Sequence, residues 1–175
     1  MNIFVAGIHG VGKTYLAGRL PPGSGLLHTS ASKLIREEKA QPSWGVDKRV
    51  TDIDDNQVVL AAAVARRNAE GTALLLDGHF VLLDKDRNLV SLGPDVFRTL
   101  NLTAVVLIEG AVDVVSGRLS ARDGVQWETT FIERFMTAER TQAQSVCTDL
   151  KIPLHVLSSP SDLEFAAAIR LPPHE

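Results

Sequence analysis

Apolar residues fall into two alternating patterns along the chain. Five short runs are apolar at nearly every position: 2–6 (NIFVA), 25–29 (GLLHT), 72–77 (TALLLD), 103–109 (TAVVLIE) and 153–157 (PLHVL). Runs of that length without polar alternation predict strands covered on both faces. Helical signals lie between them. Thr51, with Asp54 three residues on, predicts a capped helix ending near Glu70, ahead of Gly71. Pro94 predicts a short helix ending near Asn101. Thr130 and Glu133 form a second capping pair within a long helix over about 128–148. Ser159, Pro160 and Asp162 predict the cap of a last helix. This alternation predicts an α/β fold. Five parallel strands lie between two helical layers, joined by right-handed crossovers. A ligand then belongs beyond the carboxyl ends of the strands.

Composition narrows the picture. A chain of 175 residues predicts one domain, 1–175, with an ample core. The net charge is −3 and the basic residues are scattered among acids, which argues against a surface dedicated to nucleic acid. Cys147 is the one cysteine, so neither an intrachain disulfide nor a cysteine-based zinc site is expected. No run approaches the ~20 apolar residues of a membrane span. The opening MNIFVAGIHG lacks the basic start and long apolar run of a leader. These features lead us to expect a cytoplasmic protein, a monomer or small homo-oligomer, whose partners are small-molecule nucleotides.

The nucleotide expectation comes from the stretch after the first run, GIHGVGKT, which fits G-x-x-x-x-G-K-[ST] at Gly7, Gly12, Lys13 and Thr14. A polyphosphate needs many donors, and successive backbone N–H groups of a tight loop supply them. Glycine permits the loop's conformation and the close approach, and the following helix turns its positive end to the anion. Lys13 is placed to bridge the β- and γ-phosphates, and the Thr14 hydroxyl to ligate Mg²⁺. The expected contacts to ATP are Gly7, His9, Gly10, Val11, Gly12, Lys13, Thr14 and Tyr15, with His9 at a variable position of the motif. The run ALLLDGH ends on Asp77. That carboxylate is either a second magnesium partner or part of an Asp-Gly turn.

The loop alone does not choose between hydrolysis, transfer and holding. No N-K-x-D guanine motif occurs, which argues against a GTPase. Arg36 follows the second strand in ASKLIREE, and Arg118 and Arg122 share one helix face in GRLSARD. Arg134 and Arg140 follow on the long helix. Phosphoryl transfer is mostly positioning and charge neutralisation, so arginines on a closing segment suit it. The same arginines could instead be solvated, paired with Asp113, Asp123, Glu128, Glu133 or Glu139. Gly124 breaks the helix directly after Asp123, where a lid hinge would lie.

Over most of its length the chain resembles the adenylate kinase-type nucleoside monophosphate kinases, in particular their archaeal-type, short-lid branch. The resemblance rests on GIHGVGKT, SKLIREE, LLLDGH with the LLDKDRNLVSLGPDVFRTLNLTAVVLIE that follows, VVSGRLSARD and ETTFIERFMTAER. It implies a P-loop NTPase fold with a helical monophosphate-binding insertion at about 30–66 and a short lid at about 119–128. It also implies ATP and Mg²⁺ as cofactors. Arg36 would clamp the acceptor monophosphate, in a region that begins with Ser32 and brings Asn56 or Gln57 toward the base. Arg118 would lie against the adenine and the phosphates. Arg122 and Arg134 would neutralise the transferring group, alongside Lys13. Asp77 and His79 would border the acceptor. Two departures stand out. Many relatives follow the strand-end Asp-Gly with Phe-Pro-Arg, where this chain has His79 and no arginine; archaeal-type members often have threonine where Gly78 stands. Trp44 and Trp127 fall in the segments expected to move, as packing groups or base-stacking platforms.

Three functions follow as expectations. The first is transfer of the γ-phosphoryl of ATP to a nucleoside monophosphate, with ATP and AMP giving two ADP. The second keeps the transfer but changes the acceptor to a nucleoside, sugar or other metabolite. The third is an ATP-binding switch or assembly factor with slow turnover.

Overall fold

The computed structural model describes residues 1–20, 23–40 and 53–170. In chain order the elements are β1 (Asn2–Ala6), α1 (Lys13–Gly18), β2 (Leu26–Ser30), α2 (Ala31–Lys39), α3 (Ile53–Ala69), β3 (Ala73–Asp77), β4 (Val81–Leu83), β5 (Leu89–Ser91), α4 (Pro94–Arg98), β6 (Leu102–Glu109), α5 (Val112–Asp123), α6 (Thr129–Leu150), β7 (Leu154–Ser158) and α7 (Asp162–Arg170). The five predicted strands are the strands of one parallel sheet, in the order β2-β3-β1-β6-β7. This is the P-loop NTPase α/β fold. The chain winds one way from β1 to β2 and β3, then the other way to β6 and β7, which opens a crevice beyond the carboxyl ends of β1 and β3.

Strand alternation sorts the core into two halves. Phe4, Ala6, Leu74, Leu76, Val105 and Leu107 face α3, α4 and the end of α6. Val5, Leu75, Val106 and Ile108 face α1, α5, α7 and the start of α6. Helix α6 therefore crosses from one core to the other, with Ile132 and Phe135 in the second and Ala143 and Val146 in the first. Phe4, Phe80 and Phe97 meet edge-on or tilted, with ring centroids 4.4–5.5 Å apart.

Several local expectations are corrected. Thr130 and Glu133 do not start α6. Its cap position is Glu128, whose side chain makes no capping hydrogen bond. The cap of α7 is Ser161, not Ser159: Glu164 N donates to Ser161 Oγ, and the Glu164 carboxylate accepts from Ser161 N at 2.8 Å. This is a capping box two residues further along the chain. Helix α4 ends at Arg98 rather than near Asn101, which adopts a left-handed φ of 52°. The antiparallel β4–β5 hairpin was not foreseen. Its loop is organised by Asp84, whose carboxylate accepts from Asp86 N and Asn88 N, both at 2.8 Å. The expected cap at Thr51 and the tryptophan at 44 lie outside the described residues.

The end of the sheet away from the crevice is pinned by one fully buried amide. Asn2 Nδ2 donates to Asn68 Oδ1 and Leu100 O, and Asn2 Oδ1 accepts from Leu74 N and Asn68 Nδ2, all at 2.7–3.0 Å. All four hydrogen-bonding sites of the side chain are thus used, tying β1, α3, β3 and the end of α4 together. Asn2→Ala should strand the Leu74 N–H and the Leu100 carbonyl, at about 1–3 kcal/mol for each unsatisfied group. Denaturant unfolding should show that loss while ATP affinity stays unchanged. An unaltered midpoint would remove the pinning role.

Candidate functional site

The loop from Gly7 to Thr14 joins β1 to α1 at the crevice. Gly7 has a φ of 136°, and a Cβ there would lie 2.3 Å from the Ile108 carbonyl oxygen, so only glycine lets the loop leave β1 so close to β6. Gly10 and Gly12 also take positive φ. Helix α1 then starts at Lys13, with its first N–H groups toward the crevice.

Lys13 is 7 % exposed. Its ammonium donates to Gly7 O and Ile8 O and stands 3.8 Å from Asp77 Oδ1. Burial lowers its pKa, opposed by the charges of Asp77 and Glu139. Thr14 Oγ1 donates to Asp77 Oδ2 at 2.9 Å. The hydroxyl and carboxylate proposed for magnesium, which come from opposite ends of 63 residues of chain, are thus side by side. The parallel β1–β3 pairing produces this by setting Val5 opposite Asp77. Both are hard oxygen donors of the kind Mg²⁺ takes, and the neighbouring loop amides suit its phosphate partners.

The cleft around these groups has a volume of about 970 Å³. It is lined by His9 to Tyr15, Ser32, Gln57, Asp77, His79, Arg118 and Arg122, among others. Arg118 Nη1 donates to Gly10 O at 3.0 Å, which holds the guanidinium over the loop. Arg122 is paired with Asp123, which also accepts from Trp127 Nε1 at 2.9 Å. Trp127 is a packing group. It stacks near Phe131, lies under the Arg87 guanidinium at 4.3 Å and donates its backbone N–H to Ser120 Oγ. Arg36 and Arg134 are exposed and do not line the cleft, and Arg140 pairs with Glu109.

His9 and His79 meet in the cleft lining, ring centroids 4.2 Å apart and the rings tilted by 50°. Burial, then the Lys13 and Arg122 charges, lower the His9 pKa to about 4, and burial drives His79 well below its ordinary value. Both rings are therefore neutral near pH 7. Gly78 sits between Asp77 and His79, and a Cβ there would lie 2.6 Å from Phe4 Cζ. That close approach explains why this chain has glycine where the archaeal-type pattern has threonine.

Two residues at the site escaped the sequence reading. His28 on β2 lies 4.0 Å from Asp77 Oδ2, brought there by the β2–β3 register. Glu139, 1 % exposed, was one of five acids that could have paired with the arginines. Instead it accepts from Gly7 N (3.1 Å), Phe80 N (3.0 Å) and Val81 N (2.7 Å). Burial raises its pKa, while the three N–H donors and Lys13 favour the charged form. The sequence held a signal for it: Glu139 continues the Ile132, Phe135, Ala143, Val146 stripe that faces the core.

With the loop, its lysine and the strand-end carboxylate assembled, residues 6–130 match the family described as the AAA domain. The chain belongs to this AAA domain family. No curated protein matches its sequence. Among solved structures, this AAA domain is similar to the tunicamycin resistance protein of Deinococcus radiodurans, with TM-score 0.59 at 18% identity, covering 99% of this chain and 98% of that one. It is similar to an uncharacterized protein from Eubacterium ventriosum, with TM-score 0.53 at 12% identity over 97% and 95% of the chains. It also resembles a gluconokinase from Sinorhizobium meliloti, with TM-score 0.51 at 15% identity over 96% and 88%. At these identities the likeness is one of fold. Among the described residues, no helix of the AAA domain is long and apolar enough to cross a membrane.

Glu139 yields a prediction for the loop. Glu139→Gln turns an amide NH₂ toward a backbone N–H, opposing two donors, at a cost of about 1–3 kcal/mol. Unfolding should shift by that amount and ATP affinity should fall, because the Gly7 end of the loop loses its anchor. Wild-type values for both would mean that the carboxylate is replaceable by any polar group.

Proposed function

We propose that this protein transfers the γ-phosphoryl group of ATP to the hydroxyl of a small acceptor that carries no phosphate of its own. One observation carries the reading. Lys13, Thr14 and Asp77 converge within 2.9–3.8 Å in a cleft of about 970 Å³ whose lining also takes in residues of α2, α3 and α4. A nucleotide switch needs only the part around the loop. Similarity of fold to a gluconokinase is consistent with a kinase.

The loop amides and Lys13 would cradle the β- and γ-phosphates. Magnesium, held by Thr14 with Asp77, would neutralise charge on the phosphates. Arg118 would lie along the donor nucleotide. Transfer demands positioning and charge stabilisation more than proton removal. Arg122 would leave Asp123 to reach the transferring group as the segment after Gly124 closes.

The expected nucleoside monophosphate acceptor calls for a guanidinium beside its phosphate, since the Arg fork matches two phosphate oxygens. Among the described lining residues the guanidinium groups are those of Arg118 and Arg122, both on α5. Arg36, the expected clamp, is exposed outside the cleft. We therefore favour an acceptor without a phosphate over AMP.

Two mutants test the donor site. Lys13→Ala should abolish ATP-dependent transfer in a coupled assay while leaving the unfolding transition in place; full turnover would sink the assignment. Arg122→Ala should bind ATP as the native protein does but lose on the order of 10²-fold in kcat, as when one transition-state donor is removed. An unchanged kcat would make Arg122 a solvated partner of Asp123 and nothing more.

A further inference from the structure

Arg122 lines the cleft with Lys13 and Arg118, yet two of its donors are taken by its own chain neighbour. Nε and Nη2 donate to the two carboxylate oxygens of Asp123, the second at 3.0 Å. This is a two-bond fork of the kind a phosphate would also fill. Asp123 is held in turn. Its Oδ2 accepts from Trp127 Nε1 at 2.9 Å. The Trp127 backbone is tied to α5 on both sides: its N–H donates to Ser120 Oγ at 2.9 Å, and its carbonyl accepts from Ser116 Oγ. Over its ring lies the Arg87 guanidinium, 4.3 Å from the centroid. Arg87 comes from the turn of the β4–β5 hairpin, where it takes a left-handed φ of 63° and its N–H donates to Asp84 O at 3.1 Å.

Local structure gives no reason for this acid. Asp123 is the last residue of α5, directly before the left-handed Gly124. The carbonyl end of a helix disfavours a carboxylate, and consecutive residues are not a pair that a helix brings face to face. A residue that breaks local rules and is nonetheless held by three hydrogen bonds points to a role in the site. We infer that Asp123 is a positioning residue: it holds Arg122 off the transferring group until the γ-phosphate of ATP takes its place, while Trp127 and Arg87 tether Asp123 to the β4–β5 hairpin. The inference rests on the kinase reading of Arg122 and adds how that arginine is controlled.

The tether decides what the exchange does. A free carboxylate would follow Arg122 and cancel its charge at the phosphate. A carboxylate fixed by Trp127 stays behind, so Arg122 arrives with its charge whole. One anion replaces another of like geometry, so the native chain gains little net affinity for ATP from the arginine. ADP lacks the γ-phosphate and leaves the Arg122–Asp123 pair in place. Charge stabilisation is thereby assembled only on a loaded donor site.

The test titrates ATP and ADP, each with Mg²⁺, into the full chain by calorimetry. Asp123→Asn keeps the shape and removes the competing charge. It should tighten ATP binding about three- to fivefold, the range of a well-formed exposed ion pair, and leave ADP binding unchanged. In an Arg122→Ala chain the same substitution should leave ATP binding unchanged as well. A gain that persists without Arg122 means that Asp123 merely repels phosphate, and overturns the inference. So does an equal gain for ATP and ADP, or no gain at all. In each of these cases ATP binding by the native chain keeps the kinase reading standing; a native chain that binds no ATP overturns both together. A second measurement needs no change at Asp123. In a Trp44→Phe chain Trp127 is the single tryptophan, and its N–H reports on Asp123. ATP should shift its emission, ADP should not, and Arg122→Ala should abolish the shift; bound ATP without a shift overturns the inference. For the tether, Arg87→Gln should raise the ratio of ATP to ADP affinity about twofold, and Arg87→Lys, which keeps a cation over the ring, should restore the native ratio. A native ratio in Arg87→Gln overturns the part given to the hairpin.

Discussion

A single buried carboxylate joins the phosphate loop to the rest of the cleft. Glu139 sits on α6, the helix that spans both halves of the core, and takes hydrogen bonds from Gly7 at the start of the loop and from Phe80 and Val81 after β3. Three amides that no strand or helix satisfies thereby find a partner, which matters because an unpaired buried N–H is costly. The consequence is geometric. The exit of β1 and the exit of β3 are locked at one spacing, and the Lys13–Asp77 and Thr14–Asp77 contacts depend on that spacing. An arginine-paired glutamate on the surface could be exchanged freely; this one could not.

From that anchor the electrostatics of the cleft follow. Lys13 is buried between two carbonyls and two carboxylates, so its charge is partly compensated before any phosphate arrives. The neighbouring histidines are kept neutral by burial and by the same lysine, so they add no fixed charge. Among the described residues, the guanidinium groups that line the cleft belong to α5. Arg118 rests on the Gly10 carbonyl and Arg122 on Asp123. Asp123 is itself tied to Trp127, which the Arg87 guanidinium covers. The loop side of the cleft is therefore built from strong, nearly satisfied polar contacts.

How much was legible beforehand follows from the range of each interaction. The five strands, the parallel sheet and the loop with Gly7, Gly12, Lys13 and Thr14 could be read from the sequence, because apolar runs and a contiguous glycine-rich motif are local signals. Helix starts were read less well. Thr130 and Glu133 lie inside α6, whose cap position is Glu128, and α7 is capped by Ser161 with Glu164 rather than by Ser159, differences of a few residues that the backbone alone decides. The β4–β5 hairpin was missed because its strands are three residues each and its turn depends on Asp84 rather than an Asn-Gly or Asp-Gly pair.

By itself the sequence determined the glycine-rich loop at the tip of the first strand, since that loop is made of backbone within eight consecutive residues. Only the tertiary structure decided what surrounds it. Glu139 was legible as a charge on an apolar stripe, but its partners lie 58 to 132 residues away. Arg118 and Arg122 reach the cleft while Arg36 does not, a difference of helix placement that residue type cannot express. The cleft lining also takes in residues of α2, α3, β4 and α4, which read in sequence only as ordinary core. An apolar side chain facing a cavity and one facing a neighbour have the same sequence pattern; packing alone distinguishes them.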